Sequence, residues 1–212
     1  MPVQVCSARP ATSAVNGRWI GYDRAMGHGT LAFWIVAALA VGLVVTGIVG
    51  EKPPLRVVDE LDLTRYLGTW YAVASIPTPF ERSCAQGTTA TYTLLPNGQI
   101  EVVNVCFSAD GRRIEARGRA WVPDPKAPAK LKVSFLNLWG LRFFPADYWV
   151  IDLAPDYAYA VVGHPSRNYG WILSRTPGLP PEVLAGIWER LVAQGYDGSR
   201  FRTIDQTIHG QR

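Results

Sequence analysis

The sequence predicts an all-β domain of eight short antiparallel strands with one helix at its C-terminal side. Three observations predict it. Strand-like runs recur between residues 69 and 175, turn signals separate them, and a single helical stripe follows at 180–195. Such regular punctuation points to an antiparallel sandwich or barrel, not to strands alternating with helices.

Residues 1–30 are a short N-terminal region. The run "LAFWIVAALAVGLVVTGIVG" (31–50) has twenty residues and no charge. As a helix it would span about 30 Å, the thickness of a bilayer core, so it reads as a transmembrane anchor. The competing reading is a signal segment, whose apolar part runs only ~7–15 residues and ends in a small-residue cleavage site. A start at Met26 would favour that alternative. Arg18 and Arg24 on one side balance Lys52 and Arg56 on the other, so charge does not orient the segment. "EKPPLRVVDELD" (51–62) reads as a linker stiffened by Pro53 and Pro54, and 63–208 as the folded domain.

The strands fall at 69–77, 87–95, 99–107, 113–122, 130–137, 147–153, 157–163 and 169–175. The connections carry "PNG" (96–98), "ADG" (109–111), "PDPKAP" (123–128), "APD" (154–156) and "PSRN" (165–168). Alternation is clearest at 114–122. Ile114, Ala116, Gly118, Ala120 and Val122 form one face, and Glu115, Arg117, Arg119 and Trp121 the other. The inner face is small, which leaves room inside that a packed sandwich would not leave. In "PPEVLAGIWERLVAQG" (180–195), Val183, Leu184, Ile187, Trp188, Leu191 and Val192 make a helical stripe. Prolines suit its start and Gly195 its C-terminal cap. A last short strand is expected at 201–207.

Charge excludes little. From Glu51 onward 18 Lys and Arg face 16 Asp and Glu, so a nucleic-acid partner is not indicated. Of three cysteines, Cys84 and Cys106 follow the apolar run, 22 positions apart. In an exported domain that points to a disulfide; two buried free thiols are the alternative.

"LGTWYAVASIP" (67–77) sets a glycine two residues before a tryptophan at the mouth of the first strand. Eight antiparallel strands can close into a barrel wide enough for one small ligand. One end must then be plugged. Trp70 can fold inward there, Gly68 lets the entering chain pass close beneath, and a stacked cation would complete the plug. Arg175 in "WILSRTP" (171–177) ends the last strand, which neighbours the first in a closed barrel.

These residues resemble the lipocalin family over 57–208. "GTW" (68–70) matches the family's Gly-x-Trp. "ADYWVI" (146–151), with Asp147 and Tyr148, matches its second signature, with Ala146 in place of the usual Thr. Arg175 matches the third. "YLGTWYAVASIP", "AKLKVSF" (129–135) and "WILSRTP" resemble the branch that holds bacterial outer-membrane lipocalins and apolipoprotein D. The resemblance implies an eight-stranded up-and-down barrel with the helix packed outside. It implies binding, storage or transport of small hydrophobic ligands, such as fatty acids or lysophospholipids. It places the ligand-facing residues at Tyr92, Asn104, Phe135, Tyr148, Trp171 and Leu173. Ala72 and Ala74 are expected to share Trp70's face. For Tyr92 and Asn104 both to point inward, the loop at Asn97-Gly98 must be odd, such as three residues with Gly98 at a bulge. The departure from the bacterial members is an apolar anchor where they carry a lipidated cysteine. The expected place is the cell envelope, with the barrel on the periplasmic or extracellular side; a cleaved leader would make it secreted or periplasmic.

No cofactor is implied, and catalysis is not expected. His164 and Ser166 share one turn, a spacing that fits no triad, whose partners converge through the fold. His28, His164 and His209 lack zinc-ligand spacing. The alternative reading is a lipocalin-fold enzyme or envelope-maintenance protein in which lipid binding is incidental.

Overall fold

The computed structural model describes residues 52–138 and 141–210; the apolar run at 31–50 lies outside the described residues. A four-residue helix, α1 (Leu63–Tyr66), leads into β1 (Gly68–Ser75). Then follow β2 (Gln86–Leu94), β3 (Ile100–Phe107), β4 (Arg113–Trp121) and β5 (Lys130–Ser134). A small hairpin, β6 (Leu136–Leu138) and β7 (Leu141–Phe143), precedes β8 (Ala146–Leu153), β9 (Tyr159–Gly163) and β10 (Gly170–Ser174). Helix α2 (Pro181–Ala193), the short strand β11 (Arg202–Thr203) and α3 (Thr207–Gly210) complete the described chain.

Strands β1 to β5 and β8 to β10 pair antiparallel in sequence order, and β1 pairs with β10 to close an eight-stranded barrel. Tyr71 faces Ser174 and Ala72 faces Leu173 across the closure. The β2–β3 register aligns Leu94 with Ile100, and Leu95 N–H bonds Gln99 carbonyl, so the loop holds residues 96–98. Gly98 has φ +76°, the left-handed conformation a type I turn with a bulge requires. That odd loop puts Tyr92 and Asn104 on the same face. The closed end of the barrel holds α1 and the loops at 95–99 and 154–158. The open end holds the β1–β2, β3–β4, β5–β8 and β9–β10 loops.

Two cores result. Inside lie Trp70, Ala72, Tyr92, Val102, Leu131, Val150 and Leu173 with their neighbours. Outside, α2 buries Ile187 and Leu191 against Val73, Ile151, Val161 and Ile172. Burying two such aliphatic side chains is worth about 1.5–3 kcal/mol each. The helix ends in a Schellman motif: Gly195 has φ +82°, its N–H bonds Val192 carbonyl, and Tyr196 N–H bonds Leu191 carbonyl. Val192, on the expected stripe, is exposed instead.

Five other expectations are corrected. The strand expected at 130–137 ends at Ser134, because the apolar run beyond it folds on itself as β6–β7. The strand expected at 157–163 begins at Tyr159; Tyr157 sits in a turn at φ +65°. Ala74 does not share Trp70's face. The β1–β10 register shifts between Ala72 and Ala74, and Val73 and Ala74 both join the outer core. The presumed linker is no spacer: Leu55 and Leu61 are buried, Val58 N–H bonds Val150 carbonyl, and Arg56 N–H bonds Gln194 Oε1. The last strand shortens to Arg202–Thr203, which pairs with Ala74 and Ser75 of β1.

Candidate ligand-binding site

The closed end is sealed by one compact unit. Trp70 is fully buried and its Nε1 donates to Tyr66 carbonyl at 2.8 Å. The Arg175 guanidinium lies 3.7 Å from the centre of the indole ring. It also donates to the carbonyls of Thr69 (3.0 Å) and Arg65 (2.6 Å), at the start of β1 and the end of α1. Gly68 is needed for its conformation, φ +90°; a Cβ there would meet Arg175 Nη1 at an ordinary 3.5 Å. Asp147, the remaining signature residue, points outward and pairs with Lys132 at 2.8 Å.

Above the plug sits a chain of three phenols. Tyr148 hydroxyl lies 2.8 Å from both Tyr66 and Tyr92 hydroxyls. Burial raises all three pKa values, Tyr92 to about 12 and Tyr66 and Tyr148 also upward; Tyr66 and Tyr92 push Tyr148 further up, whereas at Tyr66 the hydrogen bond with Tyr148 works against the rise. All three therefore stay neutral. Three hydroxyl hydrogens serve two hydrogen bonds, which leaves one for a further acceptor.

The walls rise from this floor and become wetter. Tyr92 and Leu173 are buried. Asn104, Val133, Tyr148 and Trp171 are half-buried, Ala116 is exposed, and Phe135 at the top is 45% exposed. Ala116 faces Asn104 across the β3–β4 ladder, so its exposure marks an inner wall open to solvent. Part of the space opened by small residues is already used. A Cβ on Gly118 would fall 2.9 Å from the Phe135 ring, so that ring lies over the glycine. Asn104 Oδ1 is buried and has no hydrogen-bond partner. All six residues expected to face a ligand thus lie on the inner face, two low, three midway and Phe135 at the rim.

The rim is tied down on one side. Cys84 and Cys106 are bonded, with Cα atoms 5.5 Å apart, which fixes the β1–β2 loop to the end of β3. Trp171 Nε1 donates to Glu81 Oε1 of that loop at 3.1 Å and stacks on Tyr169. Tyr66 and Glu81 are site residues that sequence reasoning missed. Tyr66 lies in a helix too short to show periodicity, and Glu81 in a loop without a motif.

His164 and Ser166 do meet, His164 Nδ1 standing 2.8 Å from Ser166 Oγ. Ser166 N–H also donates to that nitrogen, at 3.1 Å, which makes it an acceptor stitching the β9–β10 turn. Burial lowers the His164 pKa. Among the described residues no group of His, Cys, Asp or Glu is arranged to hold a metal ion, and no helix is long and apolar enough to cross a membrane.

Comparison with known proteins agrees with this geometry. Residues 61–206 match the family described as a lipocalin-like domain. The chain is 42% identical over 160 residues to temperature-induced lipocalin-1 of Arabidopsis thaliana, covering 74% of this chain and 86% of that one. It is 36% identical over 175 residues to the outer membrane lipoprotein Blc of Escherichia coli strain K12, covering 81% and 96%. To apolipoprotein D of Mus musculus it is 37% identical over 166 residues, covering 74% and 83%. Among solved structures, insecticyanin from Manduca sexta superposes with a TM-score of 0.58 at 25% identity, over 74% of this chain and 86% of that one.

Proposed function

This chain belongs to the lipocalin family, and from that premise we propose that it binds single-chain lipids, fatty acids or lysophospholipids, in its barrel at the cell envelope. The observation that carries the reading is the gradient along the inner face. A sealed, buried floor passes into a half-buried wall of aromatic and aliphatic side chains with few polar groups, open at one end. One acyl chain suits such a cup. It would lie along Val102, Tyr148 and Leu173 with its polar end toward Phe135 and the rim. The six inner-face residues are the proposed contacts.

The envelope location is supported by the likeness to an outer membrane lipoprotein and by the Cys84–Cys106 bond, which suits an oxidising compartment. In this proposal residues 31–50 cross the membrane, and the barrel lies on its periplasmic or extracellular side.

The test is a native extraction of lipid from the purified full chain, followed by titration of the delipidated protein with a panel of acyl chains. Saturable binding that changes tryptophan fluorescence is expected. Trp171→Ala should weaken binding more than it weakens the fold. Absence of saturable binding across the panel overturns the reading.

A further inference from the structure

We infer that the barrel has a second, lateral mouth in the wall between β1 and β2, which the segment 202–210 closes as a hinged strap and through which acyl chains pass. The wall is split there. β1 and β2 pair only from Gly68↔Tyr92 to Tyr71↔Thr89, whereas the β2–β3 ladder reaches from Leu94↔Ile100 to Gln86↔Phe107. Beyond Tyr71 the two strands part, and the strap fills the gap. It pairs antiparallel with β1 through Ala74↔Thr203 and Ser75↔Arg202, and Ile204 N–H bonds Val73 carbonyl at 3.0 Å. On the other side Gly87 N–H bonds Asp205 carbonyl at 2.7 Å. Ile204 packs against the inner core, so the strap forms part of the cavity wall.

A side chain holds the seam where the rest of the barrel uses a ladder. Gln206 Nε2 donates to Ala72 carbonyl of β1 (2.7 Å) and to Thr88 carbonyl of β2 (2.9 Å), one amide bridging both edges. Gln206 is buried, yet its Oε1 has no hydrogen-bond partner. A buried acceptor left unpaired favours the state in which water reaches it, which is the lifted strap. The remaining closure is slight. β11 has two residues, and Arg202, Thr203 and Asp205 are exposed. At the far end His209 Nε2 lies 3.1 Å from Gly87 carbonyl. Exposed backbone bonds with few apolar contacts behind them open at lower free energy than a core ladder. The base of the strap stays fixed, because Phe201 is buried with its ring 5.1 Å from Trp188 and 6.0 Å from Tyr196. The hinge therefore lies between Phe201 and Arg202.

The way in behind the strap is clear of bulk. The edges of the seam carry Ala72 and Ala90, both against the inner core, and their ladder partners Leu173 and Asn104 are two of the proposed ligand contacts. A cleft of about 280 Å³ lies over the seam, lined by Ser75, Thr88, Thr203 and Ile204. Glu81 also lines it, and the same carboxylate accepts from Trp171 of the inner wall, so the cleft already reaches the cavity. Strands stand about 4.8 Å apart, so lifting one from between two others leaves a slot about 10 Å wide between backbones. A methylene chain threads such a slot lengthwise. The inference rests on the reading that the barrel holds an acyl chain, and it uses no residue before Gly68.

The experiment uses the full chain carrying Cys6→Ser. Ala74→Cys with Thr203→Cys sets two cysteines opposite each other across the β1–β11 ladder, at the spacing a disulfide needs. Each of the two substitutions alone is a control. Delipidated protein is mixed rapidly with oleate or lysophosphatidylcholine, and uptake and release are followed by tryptophan fluorescence. Locking the strap should slow both about tenfold and leave Kd unchanged, since a gate alters rates and not the equilibrium. Gln206→Ala, which removes the bridge, should speed both. Without ligand, the amides of Ile204 and Gly87 should exchange hydrogen ahead of those of the β2–β3 ladder. Equal rates in locked and unlocked chains, or strap amides that exchange only together with the ladder, overturn the inference. An unlocked chain that takes up neither lipid overturns the cavity reading and this inference with it; uptake at a rate that locking does not change overturns this inference alone.

Discussion

Arg175 and Trp70, 105 positions apart in sequence, form a single stacked unit at the closed end, the guanidinium 3.7 Å from the indole centre. The arginine does two things at once. It caps the buried ring and supplies donors to the carbonyls of Thr69 and Arg65. The barrel closure therefore depends on contacts between its first and last strands that neither strand can make alone.

Coupling between these two residues is the first prediction. Trp70→Ala should cost about 3–5 kcal/mol through lost core burial. Arg175→Ala should lose about 1–2 kcal/mol of cation–π attraction, and roughly 1–3 kcal/mol more from the carbonyls it leaves unpaired. Denaturant unfolding of both single variants and the double variant should show the double costing at least about 0.5 kcal/mol less than the sum. Simple additivity would mean that the stacked geometry carries no energy of its own.

The disulfide should act locally as well as globally. In the chain-entropy model a loop closed over 22 positions contributes about 3 kcal/mol. Replacing Cys84 and Cys106 together by serine should lower the melting temperature. It should also raise amide exchange across residues 76–85, the loop that presents Glu81 to Trp171. Exchange unchanged in that loop would show that the Glu81–Trp171 bond holds it without the cross-link.

The buried phenols predict an alkaline limit. Tyr92 has its pKa raised from 10.0 to about 12, and Tyr66 and Tyr148 also shift upward. A raised folded-state pKa means that the folded barrel keeps a proton the unfolded chain releases. The contribution is complete below about pH 10 and is lost as pH rises through the folded value. Tyr92 alone accounts for at most about 2–3 kcal/mol over that window. Stability measured from about pH 9 to about pH 12 should fall steeply, and Tyr92→Phe should flatten the fall. An identical slope in the variant would assign the loss to other groups.

The barrel was legible in the sequence because its information is local. Proline and glycine punctuate the strands, Gly98 fixes the loop that turns Tyr92 and Asn104 inward, and small residues mark the inner face of β4. What was illegible depends on partners distant in sequence. Residues 52–62 carry no periodicity; they are held by Arg167, Gln194 and Val150. The bulge at Val73 and Ala74 arises where β1 leaves β2 and takes β10 and β11 as neighbours. The hairpin at 136–143 reads in sequence as the extension of a strand, since an apolar run does not show where it reverses. The phenol chain was half visible: Tyr92 and Tyr148 follow from strand parity, whereas Tyr66 comes from a one-turn helix.

Asn104 carries the most specific prediction about the ligand. Its Oδ1 is buried on the inner face without a donor, between Ala90 and Ala116 on the neighbouring strands. An acceptor left unpaired there costs about 1–3 kcal/mol, and a ligand that brings a hydroxyl or N–H to this height would recover that cost. A carboxylate has no hydrogen to give. Asn104→Leu, of similar size, should therefore stabilise the ligand-free barrel by about 1 kcal/mol or more. It should leave the affinity for oleate nearly unchanged. For a lysophospholipid, whose glycerol hydroxyl can donate, it should weaken binding by about tenfold, the equivalent of roughly 1.4 kcal/mol. Melting temperature and two titrations decide the matter. If both ligands lose affinity equally, Asn104 only shapes the wall; if only the lysophospholipid does, the unpaired oxygen selects ligands that carry a donor.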